Sequence, residues 1–341
     1  VALDSNYRCS GNIIKSAARL ISNNTNRISK NITAAAEDGL PVDVKAFKTL
    51  VEQNKAVVEQ ILEYHEKDVP YADMAVLYRT NSQPQALVHT LMEYDIPIRL
   101  KEGMPNIYNH WIALDIIAYA KLALGIKSAD VFVRVMNKPN RYISRSVVGK
   151  GTVDYDNLAA VYEEKPWMRD RIYQLESDIK AVSRMTPSRG FRYIDKVIGY
   201  GDYLAEYAED RGIPLDGLRE KLDEICGLAA DFKSYGEWLD YIDEYTERLK
   251  DNYNVNDDVD AVMCMTMHGS KGLEFDKVII PDVNEGIIPH NMSTSDEQIE
   301  EERRMMYVAM TRAKTRLHLF YTEHRYNRDY IPSRFIREIA E

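Results

Sequence analysis

The sequence predicts an α/β protein: a parallel-sheet domain in two pieces, with a large all-α segment inserted between them. Three observations predict it. Short apolar runs at residues 74–78 (MAVLY) and 261–265 (AVMCM) alternate with helix-period segments at both ends of the chain, the pattern of strands joined by crossover helices. From Glu102 to about Asp258 the helix-period segments continue and convincing strands do not. The length, 341 residues, suits two domains or one with a large insertion.

The elements follow in order. Ser10 precedes a periodic run of Ile13, Ile14, Ala17, Ala18 and Ile21, which makes it a candidate N-cap for a first helix. Residues 22–26 (SNNTN) carry turn chemistry. Residues 42–47 alternate and read as a strand, and residues 49–66 place Val57, Val58, Ile61 and Leu62 on one helix face. After the strand at 74–78 comes the polar turn Arg79-Thr80-Asn81-Ser82, then Pro84, a good first-turn residue for a helix that continues through Leu87, Leu91 and Met92. Residues 96–100 are a third strand. Helix periodicity then marks residues 111–124, 170–182, 191–198, 215–232 and 238–249, without a fixed repeat. Strands resume at 261–265, 278–280 and 317–321. Residues 300–313 (EEERRMMYVAMTRA) read as a helix with Met306, Ala309 and Met310 on an apolar face and Arg304 and Arg312 near its ends.

Two stretches carry chemistry. Residues 265–275 (MTMHGSKGLEF) set a Thr, a His, a Gly-Ser-Lys-Gly turn and a Glu after a buried strand. With the Arg-bearing helix, such a loop supplies the donors and the guanidinium that a phosphate-handling site uses. The net charge is −10, which argues against a dedicated nucleic-acid binder. The charge is uneven, however: residues 202–260 are dense in Asp and Glu, a solvated face, and residues 303–337 are rich in Arg, so a local basic surface remains available. Cys9, Cys226 and Cys264 have no metal spacing; a sparse, odd count fits idle thiols in a reducing cytoplasm. No run is long enough to cross a bilayer and no basic-then-apolar leader opens the chain. The start at Val1 rather than Met reads as a piece of something longer.

Several blocks, in order, resemble the carboxy-terminal half of UvrD/Rep/PcrA-like superfamily 1 DNA helicases. Residues 6–10 (NYRCS) are similar to motif IV, residues 75–83 (AVLYRTNSQ) to the strand and turn that follow it, and residues 266–275 (TMHGSKGLEF) to motif V. Residues 284–289 (NEGIIP) are similar to the segment after motif V, residues 300–313 to motif VI, and residues 332–339 (PSRFIREI) to the closing helix. The helical middle is placed by position more than by sequence. The resemblance implies a RecA-like second motor domain (2A) at 1–102 and 259–341, with a helical 2B domain at 103–258. Nothing matches G-x-x-x-x-G-K-[ST] or the family's acidic Mg²⁺-holding motif. Both belong to a first motor domain, so this chain is expected to be inactive alone.

By resemblance, Tyr7 stacks on adenine, Arg8 reaches the γ-phosphate, Glu274 contacts the ribose, and Arg312 is the motif VI arginine finger, a role worth roughly 10³ to 10⁵ in rate. Thr266, His268, Arg79 and Asn81 contact the single-stranded DNA backbone, and Lys271 serves either ligand or neither. The residues alone also fit plainer readings: a helix-capping turn with a surface Arg at 7–8, an Arg offsetting a helix dipole at 312, a surface acid at 274, a loop histidine at 268, and an ion-pair partner of the Glu run at Arg304. The family's Thr-x-Gly-Ile-Gly-like duplex-binding turn is replaced by residues 140–145 (NRYISR), without the glycines. That loss argues against close backbone contact and leaves only the side chains of Arg141 and Arg145.

The implied parent is an ATP-dependent 3′-to-5′ DNA helicase that uses ATP and Mg²⁺, the metal being held mainly by the missing half. Its partners would be single strands, single/double-strand junctions, the first motor domain, and repair or replication proteins, with no membrane. Two other readings stay open: the helicase part of a helicase–nuclease, which a chain ending in PSRFIREI disfavours, and a non-catalytic interaction module, which intact Tyr7, Arg8, Glu274 and Arg312 disfavour.

Overall fold

The computed structural model describes residues 5–6, 8–26, 33–34, 36–81, 83–101, 106–253, 259–326 and 328–340. In chain order the elements are β1 (Ser5–Asn6), α1 (Gly11–Ser22), β2 (Thr33–Ala34), β3 (Asp43–Thr49), α2 (Leu50–His65), β4 (Met74–Tyr78), α3 (Gln85–Glu93) and β5 (Ile98–Leu100). The helices α4 (Trp111–Ala123), α5 (Ala129–Val135), α6 (Tyr155–Ala160), α7 (Pro166–Val182), α8 (Pro187–Tyr193), α9 (Tyr200–Arg211), α10 (Leu215–Leu228) and α11 (Tyr235–Tyr253) follow. Then come β6 (Val262–Thr266), β7 (Phe275–Ile280), α12 (Asp296–Met310), β8 (Ala313–Arg325), β9 (Arg328–Asp329) and α13 (Arg334–Ala340). Among the described residues no helix is long and apolar enough to cross a membrane.

Residues 1–105 and 248–341 form one compact unit and residues 106–247 another. The division falls inside α11, so its last turns group with the sheet unit rather than with the helical stretch to which their periodicity assigns them.

The first unit is built on a sheet of order β3-β8-β7-β4-β6-β5, with β9 added antiparallel to β8. Every other pairing in that sheet is parallel, as the alternation of strands and helices predicts. All five residues of β4 are buried, because both faces are covered. Ala75 and Leu77 join the core formed with Ile13, Leu20, Met306, Met310 and Phe335 from α1, α12 and α13. Residues alternate along a strand, so Met74, Val76 and Tyr78 face the opposite layer. Local chemistry sets the helix starts: Thr49 caps α2 by accepting from the Glu52 N–H at 3.2 Å, and Ser295 and Gln298 form a reciprocal capping box on α12. Ser10 stands at the N-cap of α1, but its side chain makes no cap bond.

The second unit is helical. Its α4 carries Asp115, fully buried, against Lys138 Nζ at 2.7 Å, Arg134 Nε at 2.9 Å and the Tyr200 hydroxyl at 2.8 Å. A charge at that depth persists because it is paired on several sides. Trp238, Phe191 and Tyr108 fill the space between helices edge to face.

Candidate functional site

The candidate residues lie at two ends of the sheet. Register sets their separation: β4 pairs Tyr78 with Thr266 and Met74 with Lys277. The last residue of β6 and an early residue of β7 thus lie four residues apart along β4, about 13 Å at the rise of a strand.

At the end where β7 and β8 begin, three segments converge. The Ser10 N–H donates to the Lys314 carbonyl at 2.8 Å, the Phe275 N–H to the Arg312 carbonyl at 3.0 Å, and the Cys9 thiol meets the Thr311 carbonyl at 3.4 Å. This framework brings Arg8, Glu274 and Arg312 together. Arg8 forms an ion pair with Glu274, both side chains remaining about one-third exposed, and Lys314 Nζ lies 4.0 Å from the other carboxylate oxygen. Arg312 is only 8% exposed. Its Nε donates to the Val308 carbonyl at 2.9 Å, its Nη1 to the Leu273 carbonyl at 3.0 Å and its Nη2 to the Thr311 hydroxyl at 3.3 Å. Burial, and then the neighbouring charge of Arg8, disfavour its cationic form, while Glu274 favours it. Three cations around one carboxylate leave an excess of positive charge that an anionic ligand would relieve.

At the opposite end, where β4 and β6 finish, Arg79 and Thr266 lie on neighbouring strand ends, and the Met267 N–H donates to the Tyr78 carbonyl at 2.7 Å. Arg79 grips Glu302 of α12 with its fork, Nε to Oε2 at 2.9 Å and Nη2 to Oε1 at 2.6 Å. Burial works to raise the Glu302 pKa, but Arg79, with the His290 N–H and the Ser293 hydroxyl, outweighs it and holds the carboxyl below its ordinary value. The Arg79 N–H donates to Gln83, which donates to Asp282 at 3.1 Å, where Gln53 and Arg325 also meet the carboxylate. The turn after β6 is equally fixed. Thr266 is buried and its hydroxyl accepts from the Gly269 N–H at 2.9 Å. Lys101 Nζ donates to the Gly269 carbonyl at 2.7 Å, and Gly272 takes φ +89°, which favours glycine. His268 and Lys271 are exposed on this turn. The Asn81 side-chain oxygen is buried with no hydrogen-bond partner among the described residues.

The candidate residues thus fall into two groups: Arg8, Glu274 and Arg312 at one end, Arg79, Asn81, Thr266 and His268 at the other. Tyr7 lies outside the described residues. Arg304 is an ion-pair partner of Glu300 and Glu301 and also donates to the Asn26 carbonyl. In the helical unit Arg141 is 7% exposed and donates to the Met136 and Pro139 carbonyls at 3.1 and 3.2 Å. Its guanidinium is thus held by the backbone of its own loop, whereas Arg145, the other side chain left for a duplex contact, is exposed. Sequence reasoning missed Glu302, Gln83 and Asp282. For Glu302 a signal existed: it precedes Met306 by four residues and Ala309 by seven, so it shares the apolar face of α12 and needs a buried partner.

The profile described as the UvrD-like helicase C-terminal domain matches residues 1–160 and 190–324. Similar curated proteins include the ATP-dependent DNA helicase Rep of Buchnera aphidicola (subsp. Acyrthosiphon pisum), 27% identical over 100% of this chain and 57% of that protein. DNA helicase II of Escherichia coli and ATP-dependent DNA helicase PcrA of Staphylococcus epidermidis are each 28% identical over 100% of this chain and 50% of their own length. The chain spans about half the length of these curated relatives.

Proposed function

The chain belongs to the UvrD-like helicase C-terminal domain family, and from that premise we propose that it is the second half of a split-site motor that hydrolyses ATP and moves along single-stranded DNA. The observation that carries this reading is the two-ended sheet. A cationic cluster sits at the start of β7 and β8, and a rigid donor-bearing turn sits at the end of β4 and β6. One eight-residue crossover, 267–274, joins the two ends.

In this reading Arg8 leaves Glu274 for the γ-phosphate, and the freed carboxylate accepts from the ribose. Arg312, already desolvated and fixed by Leu273 and Val308, opposes the charge that develops on the transferring phosphoryl group without reorganising at the moment of reaction. Tyr7 supplies the face for the base. Thr266, His268, Arg79 and Asn81 hold the sugar-phosphate backbone without reading sequence. By the family resemblance, Mg²⁺ and the phosphate-cradling loop are assigned to the first motor domain. The 3′-to-5′ direction and the action on single/double-strand junctions follow the family resemblance.

The test compares ATP hydrolysis by the full-length parent and by this chain alone, with and without single-stranded DNA. The expected result is DNA-stimulated hydrolysis by the parent and none by the chain. Hydrolysis by the isolated chain would contradict the split site, and no hydrolysis by the parent would contradict the motor.

A further inference from the structure

The Arg79–Glu302 contact joins two elements that the proposed function uses separately. Glu302 is 5% exposed and Arg79 about a quarter. The fork geometry uses Nε and Nη2 and leaves Nη1 without a partner among the described residues. Glu302 also accepts from the His290 N–H at 3.2 Å and the Ser293 hydroxyl at 3.3 Å, so its carboxylate is saturated by protein and takes no part in a ligand contact. A planar guanidinium held at two points cannot rotate about its side chain. Its free edge therefore has one direction, and the backbone N–H of the same residue is tied to Gln83 at 2.9 Å.

Glu302 lies on α12, and eight residues on, about 12 Å along the helix axis, α12 ends at Met310, where Thr311 and Arg312 follow. The helix is therefore a rod with a carboxylate holding Arg79 at one end of the sheet and a guanidinium tied to Leu273 at the other. The crossover containing Leu273 follows Thr266, beside Arg79. Helix and crossover make a closed loop of fixed contacts between the two ends, and Glu302 is its only ionic joint at the strand-binding end among the described residues.

We propose that Glu302 is a positioning residue that couples occupancy of the single-strand site to ATP hydrolysis, by fixing Arg79 to the helix that Arg312 directly follows. The proposal rests on the motor reading above. A strand that pulls on Arg79 pulls on α12, and a shift of Arg312 at the nucleotide is felt at Arg79. Without the carboxylate the two sites still exist, but the tie through α12 is lost and only the crossover from Thr266 to Leu273 joins them.

The test uses the full-length parent and its Glu302→Gln variant, which keeps size and shape and removes the charge. ATP hydrolysis is measured as single-stranded oligonucleotide is titrated in, at matched folded fraction. The expected result is a tenfold or larger fall in the ratio of maximally stimulated to unstimulated hydrolysis. The oligonucleotide concentration for half-maximal stimulation should rise by a smaller factor. A merely structural role would lower both rates in proportion and leave the ratio within twofold, and that result overturns the proposal. If Glu302→Gln does not fold, Glu302→Asp keeps the charge and shortens its reach by one methylene; the ratio should fall at least threefold, and an unaltered ratio overturns the proposal equally. A parent without DNA stimulation defeats the motor reading itself, whereas a stimulated parent whose variant keeps the ratio defeats this inference alone.

Discussion

Arg312 Nη1 donates to the Leu273 carbonyl at 3.0 Å, so the arginine just beyond α12 is tied to the crossover that leads back from Thr266. The same guanidinium holds the Val308 carbonyl at 2.9 Å. It is therefore oriented by the backbone of its own domain before any ligand arrives, the arrangement that electrostatic catalysis needs.

Arg8 differs. Its pair with Glu274 is about one-third exposed on both sides, and exposed ion pairs contribute about 0–1 kcal/mol. Arg8→Ala should leave the thermal midpoint of the full-length parent within a few degrees while lowering its DNA-stimulated hydrolysis tenfold or more. A large drop in the midpoint would assign Arg8 to the fold instead.

His268 is exposed on a turn fixed by Thr266 and Lys101. His268→Ala should change stability by no more than about 0.5 kcal/mol. Affinity for single strands should fall about tenfold, the low end for a hydrogen bond to a charged group, equally for oligonucleotides of different base composition. Fluorescence anisotropy reads this directly, and unchanged affinity would remove His268 from the interface.

The fold was legible where periodicity is local. The strand at residues 74–78 lies where its apolar run places it, and the helix read at residues 49–66 is Leu50–His65, with Thr49 as its cap. The strand at 317–321 is longer, Ala313–Arg325, because charged residues at its ends are held by neighbours: Arg316 reaches the Pro41 carbonyl, and Arg325 reaches Asp282. Such partners lie far along the chain and leave no local pattern. The candidate residues of the crossover and of α12 could be named from motif resemblance. Their division between two ends of the sheet could not, because it follows from the register of β6 and β7 on β4. The pairing of Arg79 with Glu302, 223 positions apart, needed the fold.

The chain from partly exposed Tyr64 through buried His318 to Asp43 is another such case, and it sets a pH response. His318 Nδ1 lies 2.7 Å from the Asp43 carboxylate and its Nε2 2.6 Å from the Tyr64 hydroxyl. Burial pushes the His318 pKa down to about 4, against the pull of Asp43. A histidine lowered on folding binds its proton more readily when unfolded. Its contribution is therefore fully present above the unfolded value near 6.5 and is lost as pH falls toward 4, by up to about 1.4 kcal/mol per pH unit. The melting temperature should fall between pH 6.5 and 4, and His318→Phe should flatten that slope. A variant that keeps the parent's slope would assign the dependence to other groups.

The most direct test of the split-site account is single-strand-stimulated ATP hydrolysis by the full-length parent beside its Arg312→Ala variant, with folding and DNA binding checked in both. The account predicts a loss of a hundredfold or more, toward the roughly 10³ to 10⁵ that such arginines contribute elsewhere, with binding of single strands retained. A rate within a few-fold of the parent's would contradict it and leave Arg312 as the structural tie between α12 and Leu273.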